Sequence, residues 1–358
     1  MISLYIHIPF CVRKCLYCDF LSGFSSEYIP IYMSALYKEI SAFKTDKKIK
    51  SVFIGGGTPS SVESKYISAL MDILAKHFVF ADNCEISMEA NPCTLTEQNL
   101  DEYKKSGINR LSIGVQSFDD RLLKILGRVH DSETAKKKIA AAKKYFVNIN
   151  LDLMFALPEQ NLNDWQKTLE TAVYFEPEHI SAYSLIIEEG TPFYDKYEPI
   201  DESLDREMYY KAKEFLAQNG YKQYEISNFA KQGFECRHNL VYWQGGDYKG
   251  FGLGAASLIN SHRLKNTENI REYINGTAVT EDIFLDKEDK MKEFVILGLR
   301  CTDGISKAEF KNRFDADIYV VFGEAIKKHS DLLIINGDNI RFNTKGIDLS
   351  NILFSDII

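Results

Sequence analysis

The sequence has no uninterrupted apolar run near the roughly 20 residues that a membrane-spanning helix needs. Its first residues, Met1 to His7, also lack the basic stretch that opens a secretory signal peptide. The 358 residues include 43 Lys plus Arg against 51 Asp plus Glu, so the excess of positive charge typical of general nucleic-acid binders is missing. We therefore expect a globular, cytoplasmic protein that meets membranes, if at all, through its partners.

Cysteine is sparse outside one short segment. The chain has seven cysteines, of which Cys11, Cys15 and Cys18 lie close together while the other four are scattered. An odd number does not fit a framework of disulfides. In a reducing compartment, a tight group of cysteines favours metal binding.

Short apolar, β-branched runs alternate with amphipathic stretches through the first half of the chain, which is typical of strand–helix units around a parallel sheet. The predicted strands are 3–8, 51–54, 85–89, 110–115, 148–155 and 179–187. The predicted helices are 28–43, 62–78, 96–106 and 132–145, and the segment 94–97 resembles a capping box. About six units are fewer than the eight of a closed barrel. The expected fold is therefore α/β, a partial (β/α)6 barrel with its chemistry at the carboxyl ends of the strands.

The alternation stops after residue 187, where glycines, prolines and an acidic helix at 201–219 interrupt it. We expect a barrel at 1–190, a connecting region at 191–275 and a C-terminal domain at 276–358. In that last domain, helices are predicted at 287–299, at 307–314 and from 317 onwards, followed by a hairpin of strands 332–335 and 339–342. This order is typical of a winged-helix-like domain, and the acidic charge balance favours an interaction module over a DNA reader.

Cys11, Cys15 and Cys18 have the spacing C-x3-C-x2-C directly after the first predicted strand. One loop at the barrel mouth can thus present three thiolates. Zinc sites usually use paired C-x2-C ligands or added histidines, for which His7 is the nearby candidate, and unligated cysteines are a further alternative. A [4Fe-4S] cluster held by three cysteines suits the spacing better and leaves one iron open to a substrate or cofactor.

The cysteine motif, with Tyr17 before its last member, resembles the signature of the radical S-adenosylmethionine (SAM) superfamily. The resemblance implies that the open iron binds the amino and carboxylate groups of SAM, which one electron cleaves to a 5′-deoxyadenosyl radical. It also implies that residues near the strand ends hold this cofactor. The implied residues are Tyr5, Gly56, Gly57, Thr58, Glu89, Gln116, Arg128 and Asp152, with Tyr183 and Ile186 beside the adenine.

In the implied arrangement, the glycines after the second strand let the backbone approach the methionine part of SAM. Glu89 takes its amino end and Arg128 its carboxylate, while Gln116 and Asp152 bind the ribose hydroxyls. Each of these residues alone is equally consistent with a helix cap or a loop tie. The assignment depends on their joint order along the chain.

Two segments, Tyr5 to Cys11 and Leu153 to Pro158, are similar to the oxygen-independent coproporphyrinogen III oxidase group, and the resemblance covers nearly the whole chain. Decarboxylases of that group have another cysteine two residues after the third cluster cysteine, where this chain has Phe20, and a long extension before the cluster. The segment Arg237 to Trp243 instead matches the H-N-x-x-Y-W motif of the group's haem chaperones.

The resemblance thus implies a haem chaperone that binds a [4Fe-4S] cluster, SAM and haem, receives electrons from a donor, and passes haem to haem-requiring proteins without binding nucleic acid. His238 would supply an axial nitrogen, and Tyr242 and Trp243 flat apolar faces. For His238 the alternative is a hydrogen-bonded core residue. Radical oxidative decarboxylation of coproporphyrinogen III is the alternative function, and a zinc-stabilised interaction module is a third. The sequence identifies no catalytic residue.

Overall fold

The computed structural model describes residues 1–276 and 279–358. Its central feature is a set of six strands that pair in parallel and in sequence order. They are β1 (Ile2–Ile8), β2 (Ile49–Gly56), β3 (Phe80–Ala90), β4 (Arg110–Gln116), β5 (Asn148–Phe155) and β6 (His179–Ser184). The predicted partial barrel is confirmed, since each predicted strand lies on one of these six.

Helices connect these strands. They are α1 (Ile29–Ala42), α2 (Ser64–His77), α3 (Glu97–Lys105), α4 (Asp120–Ile125), α5 (Ser132–Ala142) and α6 (Leu162–Tyr174). Each buries an apolar stripe, as Ile67, Leu70 and Leu74 do in α2. The capping box of α3 pairs Thr96 with Asn99, so the pairing that the sequence suggested within residues 94–97 is wrong.

The segment between the barrel and the C-terminal domain adds strands to both edges of the barrel sheet. Next to β6 lie β7 (Lys222–Gln223) and β8 (Asn228–Ala230), and next to β1 lies β9 (Tyr248–Phe251). An antiparallel series continues from β9 through β10 (Ala256–Ile259), β11 (His262–Asn266) and β12 (Val279–Phe284). The helices α7 (Glu202–Gln218) and α9 (Ile270–Ile274) share the hydrophobic core of the barrel. This segment is therefore packed as part of the barrel, which its irregular sequence did not indicate.

A further helix of the same segment, α8 (Arg237–Trp243), contacts β2 and the helix α10 (Lys287–Gly298). Its residue His238 lies against Ser51 of β2. Ser51 is level with Ser3 of β1 and Glu85 of β3, four residues before the level of His7 and Gly55. α8 therefore packs at the amino-terminal end of the barrel, with His238 and Val241 buried, and leaves the carboxyl ends of the strands open.

The C-terminal domain has its own hydrophobic core. After α10 come β13 (Ile305–Ser306), α11 (Lys307–Phe314), α12 (Ile318–Lys328), β14 (Leu333–Asn336), β15 (Asn339–Phe342), α13 (Thr344–Asp348) and α14 (Ser350–Ser355). β14 and β15 form the predicted hairpin, and β13 pairs with β15. The predicted order of helices and wing is confirmed. Within the described ranges, no helix has the length and apolarity needed to cross a bilayer.

Candidate functional site

A cavity of about 380 Å³ opens at the carboxyl ends of the barrel strands, where the fold was expected to place its chemistry. We call it the mouth cavity. Most of the residues assigned to cofactor binding from the sequence line it. They are Cys11, Cys15, Cys18, Gly56, Gly57, Thr58, Glu89, Gln116, Arg128 and Asp152, together with Tyr183 and Ile186.

The three clustered cysteines are free, partly exposed thiols on the loop that follows β1. Cys11 Sγ accepts a hydrogen bond from Thr58 Oγ1 at 3.5 Å, and Cys15 Sγ accepts one from Arg128 Nη1 at 3.4 Å. Among residues 1–276 and 279–358, no three His, Cys, Asp or Glu side chains are grouped closely enough to hold one metal ion. The thiols therefore share the cavity without converging on one point.

Gly57 lets the cysteine loop lie directly on the end of β2. A Cβ atom at this position would be 2.7 Å from the carbonyl oxygen of Phe10 and 2.9 Å from Cys11 Sγ. Both distances are shorter than real side chains tolerate. The glycine-rich turn after β2 is therefore required for close approach to the cysteines, which a sequence motif alone could not show.

His7 was the nearby candidate for a zinc ligand, and both of its ring nitrogens already have protein partners. Nδ1 accepts from the hydroxyl of Tyr5 at 3.0 Å, and Nε2 donates to the carbonyl of Leu21 at 2.9 Å. Burial lowers the pKa of His7, so the ring is neutral with its proton on Nε2. The thiols of the loop thus have no histidine free to complete a tetrahedral zinc site in this arrangement.

Two acidic side chains, Glu89 of β3 and Asp152 of β5, face the mouth cavity from the strands on either side of β4. Glu89 Oε2 accepts from the backbone N–H of Gly56 at 3.1 Å. Burial, reinforced by the charge of Asp152, raises the pKa of Glu89 to about 8. Asp152 accepts from Ser112 Oγ at 2.9 Å and from Asn150 Nδ2 at 2.8 Å, and burial raises its pKa as well. A ligand that brings positive charge would stabilise both carboxylates.

Gln116 and Arg128 also line the mouth cavity, and Arg128 lies beside the cysteine loop. Gln116 has φ 68° at the end of β4, where the register with β5 shifts. Such a bulge re-aims a side chain, and a non-glycine residue in this conformation is a sign of a functional position. The Arg128 guanidinium donates to the carbonyl of Gly114 as well as to Cys15. A positive group is thus fixed beside the middle thiol of the loop.

Several cavity residues were missed from the sequence, among them Ser112, Met154 and Leu185. Ser112 orients Asp152, and its position two residues before Gly114 on β4 gives it the same inward face. The alternation of side chains along β4 could have identified Ser112 from the sequence. Phe20 also lines the cavity and is 67% exposed.

Four residues assigned to binding from the sequence, Tyr5, His238, Tyr242 and Trp243, do not line the mouth cavity. Tyr5 lies below it, with its hydroxyl bound to His7 and its ring 6.4 Å from that of Phe53. Tyr5 therefore lies outside the cavity lining, near the cavity residue Glu89.

His238 is 1% exposed and lies inside the barrel. Its Nδ1 is 3.0 Å from Ser51 Oγ, and its Nε2 is 2.9 Å from the hydroxyl of Tyr242. Burial, with a smaller effect of Arg110, lowers the pKa of His238 to about 3, so the imidazole is neutral. In this arrangement His238 is a hydrogen-bonded core histidine, the alternative named from the sequence. It can reach a ligand only if α8 moves.

Trp243, at the other end of α8, lines a separate cleft of about 310 Å³ that we call the Trp243 cleft. The opposite wall comes from the C-terminal domain and includes Phe294 and Cys301. The guanidinium of Arg300 lies 4.7 Å from the centre of the Trp243 ring. The indole Nε1 is buried and has no hydrogen-bond partner among the described residues. Trp243 thus lies at the junction of the two domains, with the Arg300 guanidinium over its ring.

The family model "Radical SAM superfamily" matches residues 5–172, and "HemN C-terminal domain" matches residues 285–349. A protein of Buchnera aphidicola (subsp. Schizaphis graminum) named "Heme chaperone HemW" is 41% identical over 87% of this chain and 86% of its own length. The protein of that name from Bacillus subtilis is 38% identical over 99% of this chain and 98% of its own. The chain belongs to the HemW family of radical SAM proteins.

A solved structure supports the fold of this HemW-family chain. It is described as "Coproporphyrinogen III oxidase (HemN) from Escherichia coli is a Radical SAM enzyme" and superposes with a TM-score of 0.84 at 24% identity, over 99% of this chain and 89% of that one. The radical SAM superfamily implies a [4Fe-4S] cluster and SAM. The mouth cavity fits both groups, because it combines three free thiols on one loop with two carboxylates suited to a cationic ligand.

Proposed function

We propose that this protein is a haem chaperone that holds a [4Fe-4S] cluster and SAM in the mouth cavity, binds haem through α8, and delivers haem to haem-dependent proteins. The strongest support is that one chain contains both a cavity suited to the cluster and SAM and a separate helix with residues suited to haem. The mouth cavity has the donors for the cluster and cofactor, while His238, Tyr242 and Trp243 lie together on a separate helix. Relatives that match over most of their length are named haem chaperones.

In this proposal Cys11, Cys15 and Cys18 hold the cluster, and Glu89 binds the amino group of SAM. An ammonium group beside Glu89 would offset the burial that now favours its protonated form. When bound, the cluster and SAM supply one-electron chemistry, for which a donor protein is needed. The residues of this chain orient the cofactor and shield it from water.

The remaining contacts to SAM come from residues on or just after β4, β5 and β6 and from Arg128 after α4. Asp152 and Gln116 bind the ribose hydroxyls, since Asp152 is held by Ser112 and Asn150 with its oxygens at the cavity floor. Arg128 meets the carboxylate of SAM. Tyr183 and Ile186 form the apolar surface for adenine at the rim of the cavity.

Haem binding is assigned to α8. The imidazole of His238 is neutral, as an axial ligand of haem iron must be, and Trp243 offers a flat face at the Trp243 cleft. Arg300, whose guanidinium lies over the Trp243 ring, would pair with a propionate. His238 becomes available when α8 moves away from the amino-terminal end of the barrel. Haem-requiring acceptors, including membrane-associated ones, would then be reached by protein contact.

The experiment that tests the proposal incubates the reconstituted protein anaerobically with haem in one sample and with coproporphyrinogen III, SAM and a reductant in another. The proposal expects a stable haem complex in the first sample and no protoporphyrinogen in the second. Phe20 supports that expectation, because it places an aromatic ring in the mouth cavity where the decarboxylases have a thiol. Stoichiometric formation of a divinyl product would overturn the chaperone assignment in favour of oxidative decarboxylation.

A further inference from the structure

The carboxylate of Glu85 holds the amino-terminal end of α8. Glu85 projects from β3 and is 6% exposed. Its oxygens accept hydrogen bonds from the backbone N–H groups of Arg237 at 3.1 Å and His238 at 3.2 Å, and from the thiol of Cys236 at 3.6 Å. A carboxylate that receives backbone donors in the first turn of a helix stabilises that helix and fixes its position.

Glu85 is itself supported from within the barrel by Arg110 of β4. Arg110 is 2% exposed, and its Nε has no hydrogen-bond partner among the described residues. Burial favours loss of the proton, but the neighbouring Cys236 and Glu85 outweigh it and raise the pKa of Arg110, so the guanidinium stays charged. A buried cation of this kind disfavours removal of the carboxylate that compensates it.

The contacts of His238 fall into two groups. Its hydrogen bond to Tyr242 lies within α8 and would move with the helix. The hydrogen bond to Ser51 and the stacking on Phe53, with ring centres 5.3 Å apart, join α8 to β2. Movement of α8 away from the barrel therefore frees Nδ1 of His238 while Nε2 keeps its partner.

The backbone on both sides of α8 is glycine in the left-handed region. Gly233 has φ 85° and Gly245 has φ 58°. A Cβ at Gly233 would meet nothing within 4 Å, so the space beside this residue is open. Glycine passes between conformations that other residues rarely adopt. These two positions can absorb the dihedral changes of a hinge on either side of a short rigid helix.

We propose that Glu85 is the positioning residue that docks α8 in the barrel and keeps His238 closed, and that rotation of α8 about Gly233 and Gly245 opens His238 to haem. The opening of His238 to haem rests on the proposed haem function. The role of Glu85 concerns the docking of α8 alone and does not depend on the cluster, SAM or haem.

The test compares the wild-type full chain with Glu85→Gln, Ser51→Ala and Glu39→Gln. Glu39 is the matched control, because it is a largely buried carboxylate that accepts from Gly252, Asn266 and Tyr273 at another part of the barrel. Hydrogen exchange is measured at the amides of residues 236–243. Carbethoxylation of His238 is measured by peptide mapping, with the partly exposed His262 as internal reference.

We expect Glu85→Gln to speed exchange of the Arg237 and His238 amides by about tenfold or more, because two hydrogen bonds to a charged acceptor are weakened together. Labelling of His238 should rise relative to His262 in both Glu85→Gln and Ser51→Ala. In Glu39→Gln, exchange and labelling at α8 should match the wild type. Unchanged exchange in Glu85→Gln, or an equal rise in Glu39→Gln, would overturn the positioning role. If Glu85→Gln does not fold, Ser51→Ala still tests whether the contact of α8 with β2 keeps His238 closed.

Haem association rates separate this inference from the function on which it rests. If opening limits access, Glu85→Gln should bind haem faster by the same factor as its exchange increases. Faster exchange with an unchanged haem association rate would contradict the opening step. Absence of haem binding in every variant, together with faster exchange in Glu85→Gln, would leave the role of Glu85 intact and contradict the haem function itself.

Discussion

Glu89 Oε2 accepts a hydrogen bond from the backbone N–H of Gly56 at 3.1 Å, which joins the third strand of the barrel to the glycine turn beside the cysteine loop. That single donor does not offset burial, and the pKa of Glu89 stays near 8. The carboxyl group is therefore mostly protonated at neutral pH until a cation reaches it.

The first prediction concerns protons. Binding of SAM at pH 7 should release close to one proton, because its ammonium and sulfonium charges favour ionised Glu89. Isothermal titration calorimetry in buffers of different ionisation enthalpy measures this release. Glu89→Gln should abolish it and weaken binding. A wild-type binding enthalpy that does not depend on the buffer would contradict the assignment of Glu89.

The same pKa predicts a stability profile for the ligand-free protein. Glu89 has a pKa of about 8 when folded and an ordinary value of 4.5. The folded state therefore binds the extra proton between these values, so the contribution of Glu89 to the free energy of unfolding falls as pH rises from about 4.5 to about 8. Thermal melts of wild type and Glu89→Gln should diverge over this window, with the variant less sensitive to pH.

The cysteine assignment is tested by iron and acid-labile sulfide content after anaerobic reconstitution. Changing Cys11, Cys15 or Cys18 to Ser should remove most of the bound cluster, since each thiolate holds one iron. Cys301→Ser is the control, because Cys301 lines the Trp243 cleft and not the mouth cavity. Full iron content in the triple variant, or loss of the cluster in Cys301→Ser, would contradict the assignment.

Gly57→Ala should impair cluster incorporation while the fold persists. The added methyl group would be 2.7 Å from the Phe10 carbonyl and would push the cysteine loop off the end of β2. Gly323→Ala in α12 is the matched control, since its nearest neighbour would be 3.8 Å away, and alanine favours a helix by roughly 1 kcal/mol over glycine. The comparison uses cluster content per folded protein, with circular dichroism as the measure of folding. Equal cluster content in the two variants would show that loop placement does not depend on Gly57.

Haem ligation is tested by the Soret band. His238→Ala should change the band or weaken haem binding by removing an axial nitrogen, whereas Trp243→Ala should weaken binding without altering ligation. Because His238 is buried with two hydrogen bonds, its removal should also destabilise the protein by about 1–3 kcal/mol. Thermal melts of the haem-free variants separate this effect from haem affinity. An unchanged band and affinity in a folded His238→Ala variant would exclude His238 as the ligand.

Much of the barrel could be predicted because its sequence signals are local. The strand 148–155 was placed at its observed bounds from its apolar residues alone, and the helix 307–314 likewise from its periodicity. The helices α4 and α6 were missed, although Asn161 and Asp164 form a capping box at the start of α6. The edge strands β7 to β12 were missed because most have only two to five residues and their burial does not alternate, as in the fully buried β8 and the fully exposed β12.

The candidate site likewise contains residues whose positions could be predicted from the sequence and residues whose positions could not. Residues at strand ends, such as Glu89 and Asp152, could be assigned to one cavity because parallel strands bring their carboxyl ends together. The position of His238 could not be predicted, since it depends on how α8 packs against Ser51 and Glu85, which lie 187 and 153 positions away in sequence. No local pattern in the motif specifies whether its histidine faces solvent or the core.

The most direct test of the proposed chaperone function is haem transfer to another protein. Haem-loaded protein is mixed with the haem-free form of a b-type cytochrome, and the Soret spectrum of the cytochrome is followed, with free haem at the same concentration as reference. If the protein delivers haem, the cytochrome should acquire haem from the wild-type protein and should acquire less from His238→Ala loaded under the same conditions. Retention of all haem by the wild-type protein, or equal transfer from both proteins, would contradict it.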